Sequence, residues 1–213
     1  MIKVERFLND LMSSNCYIIW DDITHSSIVV DPGSEKSQKV IDFIDSHNIS
    51  LDYIFLTHEH TDHTWGVNAL IERFNAKVIC SEDCRIGLSR QNNCQFQLYL
   101  DDTKSDYRVS RVDYTTEELD NVLYFNDIKV QFIPTPGHSV SSVCLLIENM
   151  LFTGDAMLLS KPVIIKRSGG NREAYQQSVK KLIRSVSKNT MIFPGHGEPF
   201  QLNEYAKQLE PIN

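Results

Sequence analysis

The stretch Leu51-Asp-Tyr-Ile-Phe-Leu-Thr57, followed at once by His58-Glu-His60-Thr-Asp62-His63, constrains this chain more than any other. It places His58, His60, Asp62 and His63 within six residues, directly behind an apolar run. Residues 51–57 are aliphatic, aromatic and β-branched, which suits a buried strand and is too short for a stable helix. From Thr64 the spacing of Val67, Leu70, Ile71 and Phe74 is that of an amphipathic helix. The ligand candidates therefore occupy the turn between a strand and a helix. On a helix His58 and His60 would point to different faces, and on a strand Asp62 and His63 would diverge; a tight loop can aim all four at one point. Solvated turns also carry histidines, but three of the chain's seven fall here, a density that a merely solvated turn does not explain.

Imidazole nitrogens with a carboxylate suit zinc, and also iron or manganese, while the lack of cysteine in the cluster argues against a closed structural zinc site. Partners occur in similar settings elsewhere in the chain. Ile128-Lys-Val-Gln-Phe-Ile133 reads as a strand running into Pro134-Thr-Pro-Gly-His138. Met150-Leu-Phe-Thr-Gly-Asp155 is a short apolar run ending in Gly-Asp, and Thr190-Met-Ile-Phe-Pro-Gly-His196-Gly is a third run of the same form. Proline and glycine stop each strand just before a ligand candidate. Strand carboxyl ends collect on one rim in α/β proteins, and sites form there.

Together these four segments resemble the metallo-β-lactamase fold metallohydrolase superfamily, whose signature is H-x-H-x-D-H, then a histidine, a bridging aspartate and a last histidine. The resemblance spans most of the chain and implies an α/β fold, a four-layer αβ/βα sandwich, over a single domain of residues 1–213. It implies two divalent metal ions, zinc first, with His58, His60 and His138 on one, Asp62, His63 and His196 on the other, and Asp155 between them. The spacing and the phrases Thr-Pro-Gly-His138 and Pro-Gly-His196-Gly are most similar to the glyoxalase II group, the hydroxyacylglutathione hydrolase-like enzymes.

In composition the chain is an ordinary globular protein, with 41% hydrophobic and 23% charged residues among 213. A net charge of −7 makes a polyanion such as nucleic acid a poor partner. The first residues lack the apolar core of an export signal and no run reaches membrane-spanning length, so a cytoplasmic protein away from membranes is expected. Five cysteines without C-x-x-C pairing fit reduced thiols. Cys16 and Cys144 lie in apolar runs and read as small core residues; Cys80, Cys84 and Cys94 could form a further metal site, although their spacing fits no zinc pattern.

Strands are expected at 2–8, 15–20, 26–31 and 77–80, with Asp31-Pro-Gly33 closing the third, and helices at 82–89, 172–187 and 203–209. Ser34 can cap a helix carrying Val40, Ile41 and Ile44. His25 and His47 follow no apolar run and read as solvated. Residues 81–120 form an insertion or flap candidate whose Phe96, Leu98, Tyr99 and Leu100 belong either to the core or to a substrate wall. After Asp155 the chain turns basic around Ser168-Gly-Gly170, and Lys166 and Arg167 are candidates to bind an anionic substrate group.

Two neighbouring cations make hydrolytic equipment, with Asp62 the natural group to orient the attacking water and pass its proton onward. A small ester, thioester, lactone or related bond is the expected substrate. The glyoxalase II resemblance points to a thioester; glutathione is disfavoured, because the family's helical C-terminal region that contacts it does not follow here and Lys166-Arg-Ser-Gly-Gly-Asn-Arg172 departs from its Gly-Arg-x-Asp-like phrase. Two alternatives stay open. One is a mononuclear iron enzyme resembling persulfide dioxygenases, with His58, His138 and Asp155 as the triad. The other is a metal-bearing accessory or peptide-binding protein of a maturation pathway. The expected partners are a small-molecule substrate and at most a second copy of the chain.

Overall fold

A computed structural model describes residues 1–89, 107–159, 161–165 and 169–209. The chain forms two compact units, Met1–Glu118 and Leu119–Asn213. The first is built on a six-stranded sheet in the order β1-β2-β3-β4-β5-β6. Its strands are β1 (Ile2–Leu8), β2 (Asn15–Asp21), β3 (Ser26–Val30), β4 (Ser50–Phe55), β5 (Lys77–Cys80) and β6 (Tyr114–Thr115). The first three run antiparallel, whereas β3 to β6 are parallel neighbours. Adjacent residues on the inner strands, Ile18 and Ile19, Val29 and Val30, Ile54 and Phe55, Val78 and Ile79, are all buried. Burial of both faces is what turns a strand's sequence into a continuous apolar run instead of an alternating one.

Helices α1 (Gln38–Ser46), α2 (Thr61–Thr64), α3 (Val67–Phe74) and α4 (Glu82–Ser89) fill the crossovers. Val40 and Ile44 of α1 and Val67 and Leu70 of α3 share one core with Ile18, Val29, Ile54 and Val78. The helix expected from Thr64 is split in two. Gly66 N–H donates to Pro32 O at 2.7 Å, and a Cβ at Gly66 would lie 2.0 Å from Ser37 Oγ and 2.3 Å from Ser34 O. The chain thus passes so close to residues 32–37 that only glycine fits between α2 and α3. Ser34 does not cap α1 as expected: the helix starts after Ser37, and Ser34 Oγ instead accepts from Asp10 N–H at 3.0 Å.

The second unit carries a six-stranded sheet in the order β12-β11-β10-β9-β8-β7. These strands are β7 (Val122–Phe125), β8 (Ile128–Pro134), β9 (Val143–Ile147), β10 (Met150–Gly154), β11 (Met191–Pro194) and β12 (Phe200–Gln201). The β7–β8 hairpin turns on Asn126 and Asp127, both at positive φ (49° and 64°), which a two-residue turn matching strand twist requires. Strand β10 runs parallel to β11 and antiparallel to β9, as does β8 to β9, so β8, β10 and β11 all point the same way. Helices α5 (Arg172–Ser185) and α6 (Leu202–Leu209) complete the unit. Asn171 caps α5 by accepting from Ala174 N–H at 2.9 Å. Val179 and Leu182 of α5 join Ile133, Cys144, Leu151 and Ile192 in its core.

Cys16, Cys80, Cys84 and Cys144 are buried free thiols, as expected for two of them; Cys94 lies outside the described residues, and so do Phe96, Leu98, Tyr99 and Leu100 of the flap candidate. Among the described residues no helix is long and apolar enough to cross a membrane.

Candidate metal centre

In the first unit, β4 delivers Leu56, Thr57 and His58 at its carboxyl end, and α2 presents Asp62 and His63 one turn later. His58, His60 and His63 are all buried, with ring centroids 4.5 Å apart for His58 and His60 and 4.3 Å for His58 and His63. His63 Nε2 lies 3.5 Å from Asp62 Oδ2. The four ligand candidates of this loop are thus gathered together, as the turn geometry demanded.

The loop is held by residues that the sequence reading passed over. Asp31 is buried at the carboxyl end of β3, the strand parallel to β4. Its Oδ2 is 2.9 Å from His63 Nδ1 and accepts from Thr57 Oγ1 at 2.7 Å, while its Oδ1 accepts from Thr57 N–H at 2.8 Å. Asp31, His58 and His63 offer atoms within 4.8 Å of one another, the grouping expected of a cation site. The short contacts from Asp31 run to the Thr57 N–H and O–H groups and to one ring nitrogen of His63, so this carboxylate braces the histidine loop from behind. The backbone carbonyl of Asp62 accepts from the Ser14 hydroxyl and, at 3.5 Å, from Asn9 Nδ2, so the β1–β2 turn grips the ligand helix as well.

In the second unit, His138, Asp155 and His196 leave the carboxyl ends of β8, β10 and β11. Gly195 N–H donates to Gly154 O at 2.7 Å and ties two of these exits together. His138 Nε2 and His196 Nε2 lie 3.5 and 3.7 Å from the same oxygen, Asp155 Oδ2. His138 Nδ1 is 2.8 Å from Ile164 O. A carbonyl only accepts, so Nδ1 carries a proton and the contact fixes which ring edge, that of Nε2, faces Asp155. The Pro134–His138 loop is seated on α5: Ser178 Oγ donates to Pro136 O at 2.7 Å, and a Cβ at Gly137, whose φ is +149°, would come 2.3 Å from Tyr175 Cα.

Both units therefore carry clusters of histidine and aspartate consistent with a dinuclear metal site. The described thiols are not part of either cluster: Cys16, Cys80 and Cys84 belong to the core of the first unit and Cys144 to that of the second. Burial raises the Cys16 and Cys84 thiols well above their ordinary range and pushes Cys144 up to about 12 against a lowering contact from Thr135. His25 and His47 are exposed, as expected, the latter stacked on Phe43 at 4.0 Å. Lys166 and Arg167 lie outside the described residues.

Comparison with known proteins identifies the family and the fold. Residues 9–196 match the model of the metallo-beta-lactamase superfamily. The probable polyketide biosynthesis zinc-dependent hydrolase PksB of Bacillus subtilis (strain 168) is 30% identical over 181 residues, covering 85% of this chain and 72% of that protein. Hydroxyacylglutathione hydrolase 1 of Vibrio vulnificus (strain YJ016) is 28% identical over 204 residues, covering 95% and 70%. Among solved structures, the BLEG-1 B3 metallo-beta-lactamase superposes with a TM-score of 0.84 at 22% identity, over 96% of this chain and 97% of that one, which shows a common fold. The chain belongs to the metallo-β-lactamase superfamily and has its fold.

Proposed function

We propose that the protein is a dinuclear, zinc-dependent hydrolase that cleaves a small ester, thioester, lactone or related bond. The observation that carries this reading is the single carboxylate oxygen of Asp155 faced by ring nitrogens from two different loops, His138 Nε2 at 3.5 Å and His196 Nε2 at 3.7 Å. A carboxylate shared in this way suits a ligand that serves two cations. The donors are imidazole and carboxylate throughout, which fits a catalytic site better than a closed structural one. In this reading, as the family pattern implies, His58, His60 and His138 would hold one ion, Asp62, His63 and His196 would hold the other, and Asp155 would serve both.

When bound, such ions act as Lewis acids and bring the pKa of water down to about 7. The chain's own part is positional and protonic. Asp62, fixed by its backbone carbonyl to Ser14 and Asn9, would use its carboxylate to orient the attacking water and take its proton. No serine or cysteine nucleophile is needed. The zinc in the name of the Bacillus relative supports the choice of metal, and the name of the Vibrio relative supports an acyl-transfer substrate.

Elemental analysis of protein purified without added metal, followed by turnover assays on thioester, lactone, phosphodiester and β-lactam substrates, tests the reading. Two zinc ions per chain with turnover of a thioester or lactone is the expected result, and His196→Ala should retain one ion and lose the other. One tightly bound iron, with no second ion taken up after zinc supplementation, would sink it and favour the mononuclear iron alternative built on His58, His138 and Asp155.

A further inference from the structure

Asp62 and His63 ride on α2, whose four residues make one turn. A single turn does not hold itself together, because fixing its backbone costs more than its first hydrogen bond offsets. Its stability therefore depends on where its carbonyls, which a helix end leaves without helical partners, find donors. Thr61 O accepts from Trp65 N–H at 2.9 Å, and Asp62 O accepts from Ser14 and Asn9. Thr64 O, the last carbonyl of the turn, accepts from the hydroxyl of Tyr107, 43 residues further along the chain. Thr64 is 1% exposed, so water does not stand in for a lost donor there. Burial pushes the Tyr107 hydroxyl above its ordinary range, so it keeps the proton that it donates. Tyr107 is itself held in place. Asn68, in the first turn of α3, donates from Nδ2 to Arg108 O at 2.7 Å and accepts at Oδ1 from Ser110 N–H at 2.8 Å. Further on, the Arg111 guanidinium reaches Asn75 Oδ1 and Ala76 O, both at 2.9 Å, and Asp113 Oδ2 accepts from Val78 N–H at 2.9 Å. Residues 107–113 thus form a strap along α3, from the ligand helix to β5.

We infer that Tyr107 is a positioning residue for the ligand helix: its hydroxyl, set by the strap and by Asn68, closes the carboxyl end of α2 and so holds Asp62 and His63 at one of the two metal positions. The inference rests on the ligand assignment proposed above, in which Asp62 and His63 serve one ion and His58 and His60 the other. Its effect is one-sided. His58 leaves β4 before the helix begins, and His60 is the N-cap of α2, at the end remote from Thr64. Tyr107→Phe keeps the ring and removes only the donor, which frees the end of the turn that carries Asp62 and His63. Asn68→Ala releases the strap from α3 without touching Thr64, and so acts on the ligand helix only through Tyr107.

The test uses the full chain, with zinc alone as the probe. Zinc is titrated into metal-free protein against a chromophoric chelator, and amide hydrogen exchange of the metal-free protein reads the opening of α2 by itself. Groups that orient metal ligands typically contribute about 10–100-fold to affinity, so Tyr107→Phe should weaken one of the two zinc affinities by about tenfold and leave the other unchanged. In a His196→Ala background, which keeps the ion on His58, His60 and His138, the phenylalanine should change nothing. In the metal-free protein, exchange at Trp65 N–H should quicken by about 3–10-fold, the effect of losing one hydrogen bond of ordinary net strength, while Val29 and Ile54 of β3 and β4 keep their wild-type rates. Asn68→Ala should shift the same affinity and the same amide in the same direction. Wild-type zinc affinities in Tyr107→Phe, or two affinities weakened alike as by a general loss of stability, would overturn the inference. Should Tyr107→Phe fail to fold, Asn68→Ala decides by the same two readouts, and wild-type values in it would overturn the inference. A wild type that binds fewer than two zinc ions would instead overturn the dinuclear reading. Trp65 exchange then decides for Tyr107 alone: faster exchange in Tyr107→Phe upholds its grip on α2, and a wild-type rate removes it.

Discussion

Gly33 lies so close to the backbone of Asp62 that a Cβ added to it would fall 1.7 Å from the Asp62 carbonyl oxygen and 2.5 Å from the carbonyl carbon. Backbone cannot swing away as a flexible side chain can, so any residue other than glycine must push the ligand helix off the turn that seats it. Gly33→Ala is expected to cost about 1–3 kcal/mol of stability, the usual range for overpacking. It should also reduce metal content, because Asp62 and His63 move with the helix. Thermal unfolding of the metal-free protein and elemental analysis check the two effects. An alanine variant with wild-type melting temperature and full metal content would show that the 31–37 turn does not position the ligands.

The candidate ligand loops are legible in the sequence because each announces itself locally: an apolar run stopped by glycine or proline, then a histidine or aspartate. The same locality explains what was missed. The role of Asp31 depends on β3 lying parallel beside β4, with Val30 opposite Phe55, so that Asp31 emerges next to Thr57. That pairing joins residues 25 positions apart in register and leaves no mark on the sequence around Asp31-Pro-Gly33, which reads as a strand-ending turn. Ser34 looked like a helix cap because a serine before an amphipathic run usually is one; here tertiary contact with the β1–β2 turn claims its hydroxyl. Strands β6 and β12 are two residues long and too short to show any period.

The buried thiols give a chemical check on the two cores. Burial raises Cys16 and Cys84 well above the usual thiol range and holds Cys144 near about 12, so these groups stay protonated at any pH where the protein is handled. The thiolate is the reactive form. Iodoacetamide at about pH 8, below the usual thiol pKa of about 8.5, should leave Cys16, Cys84 and Cys144 unmodified in the native protein and modify them after denaturation. Peptide mapping by mass spectrometry reads this out. Rapid native labelling of Cys144 would mean that the sheet around Ile133, Cys144 and Leu151 opens far more readily than its burial implies.

For Lys166 and Arg167 the proposal rests on sequence position alone, a cationic pair eleven and twelve residues after Asp155. If they bind an anionic group remote from the reacting bond, they hold substrate and transition state alike. Loss of such uniform binding raises KM with little change in kcat. The double variant Lys166→Glu/Arg167→Glu should therefore raise KM on the best anionic substrate by at least about tenfold, which is the 1.4 kcal/mol that one order of magnitude represents, and leave kcat within a few-fold. Equal kinetics for the two proteins on every active substrate would reduce the pair to a solvated loop.

The function proposed above gives Asp62 two roles that one substitution can separate. Its carboxylate lies 3.5 Å from His63 Nε2, and its backbone carbonyl is anchored to Ser14 and Asn9, so the side chain can change without releasing the helix. Asp62→Asn keeps the shape and one carbonyl oxygen able to touch a metal, but it removes the negative charge and the capacity to take a proton. General acid–base assistance contributes about 10²–10⁴-fold to such reactions. Hydrolysis is thus expected to fall by at least about 100-fold while metal stoichiometry stays near two per chain. The ratio of rate to bound metal is the quantity to follow, since either alone confuses a lost ligand with a lost base. A variant that keeps both ions and turns over near the wild-type rate would show that water is activated without Asp62. If the second ion is lost, the carboxylate is a ligand that the amide cannot replace, and the rate measured at saturating zinc then isolates what proton transfer adds.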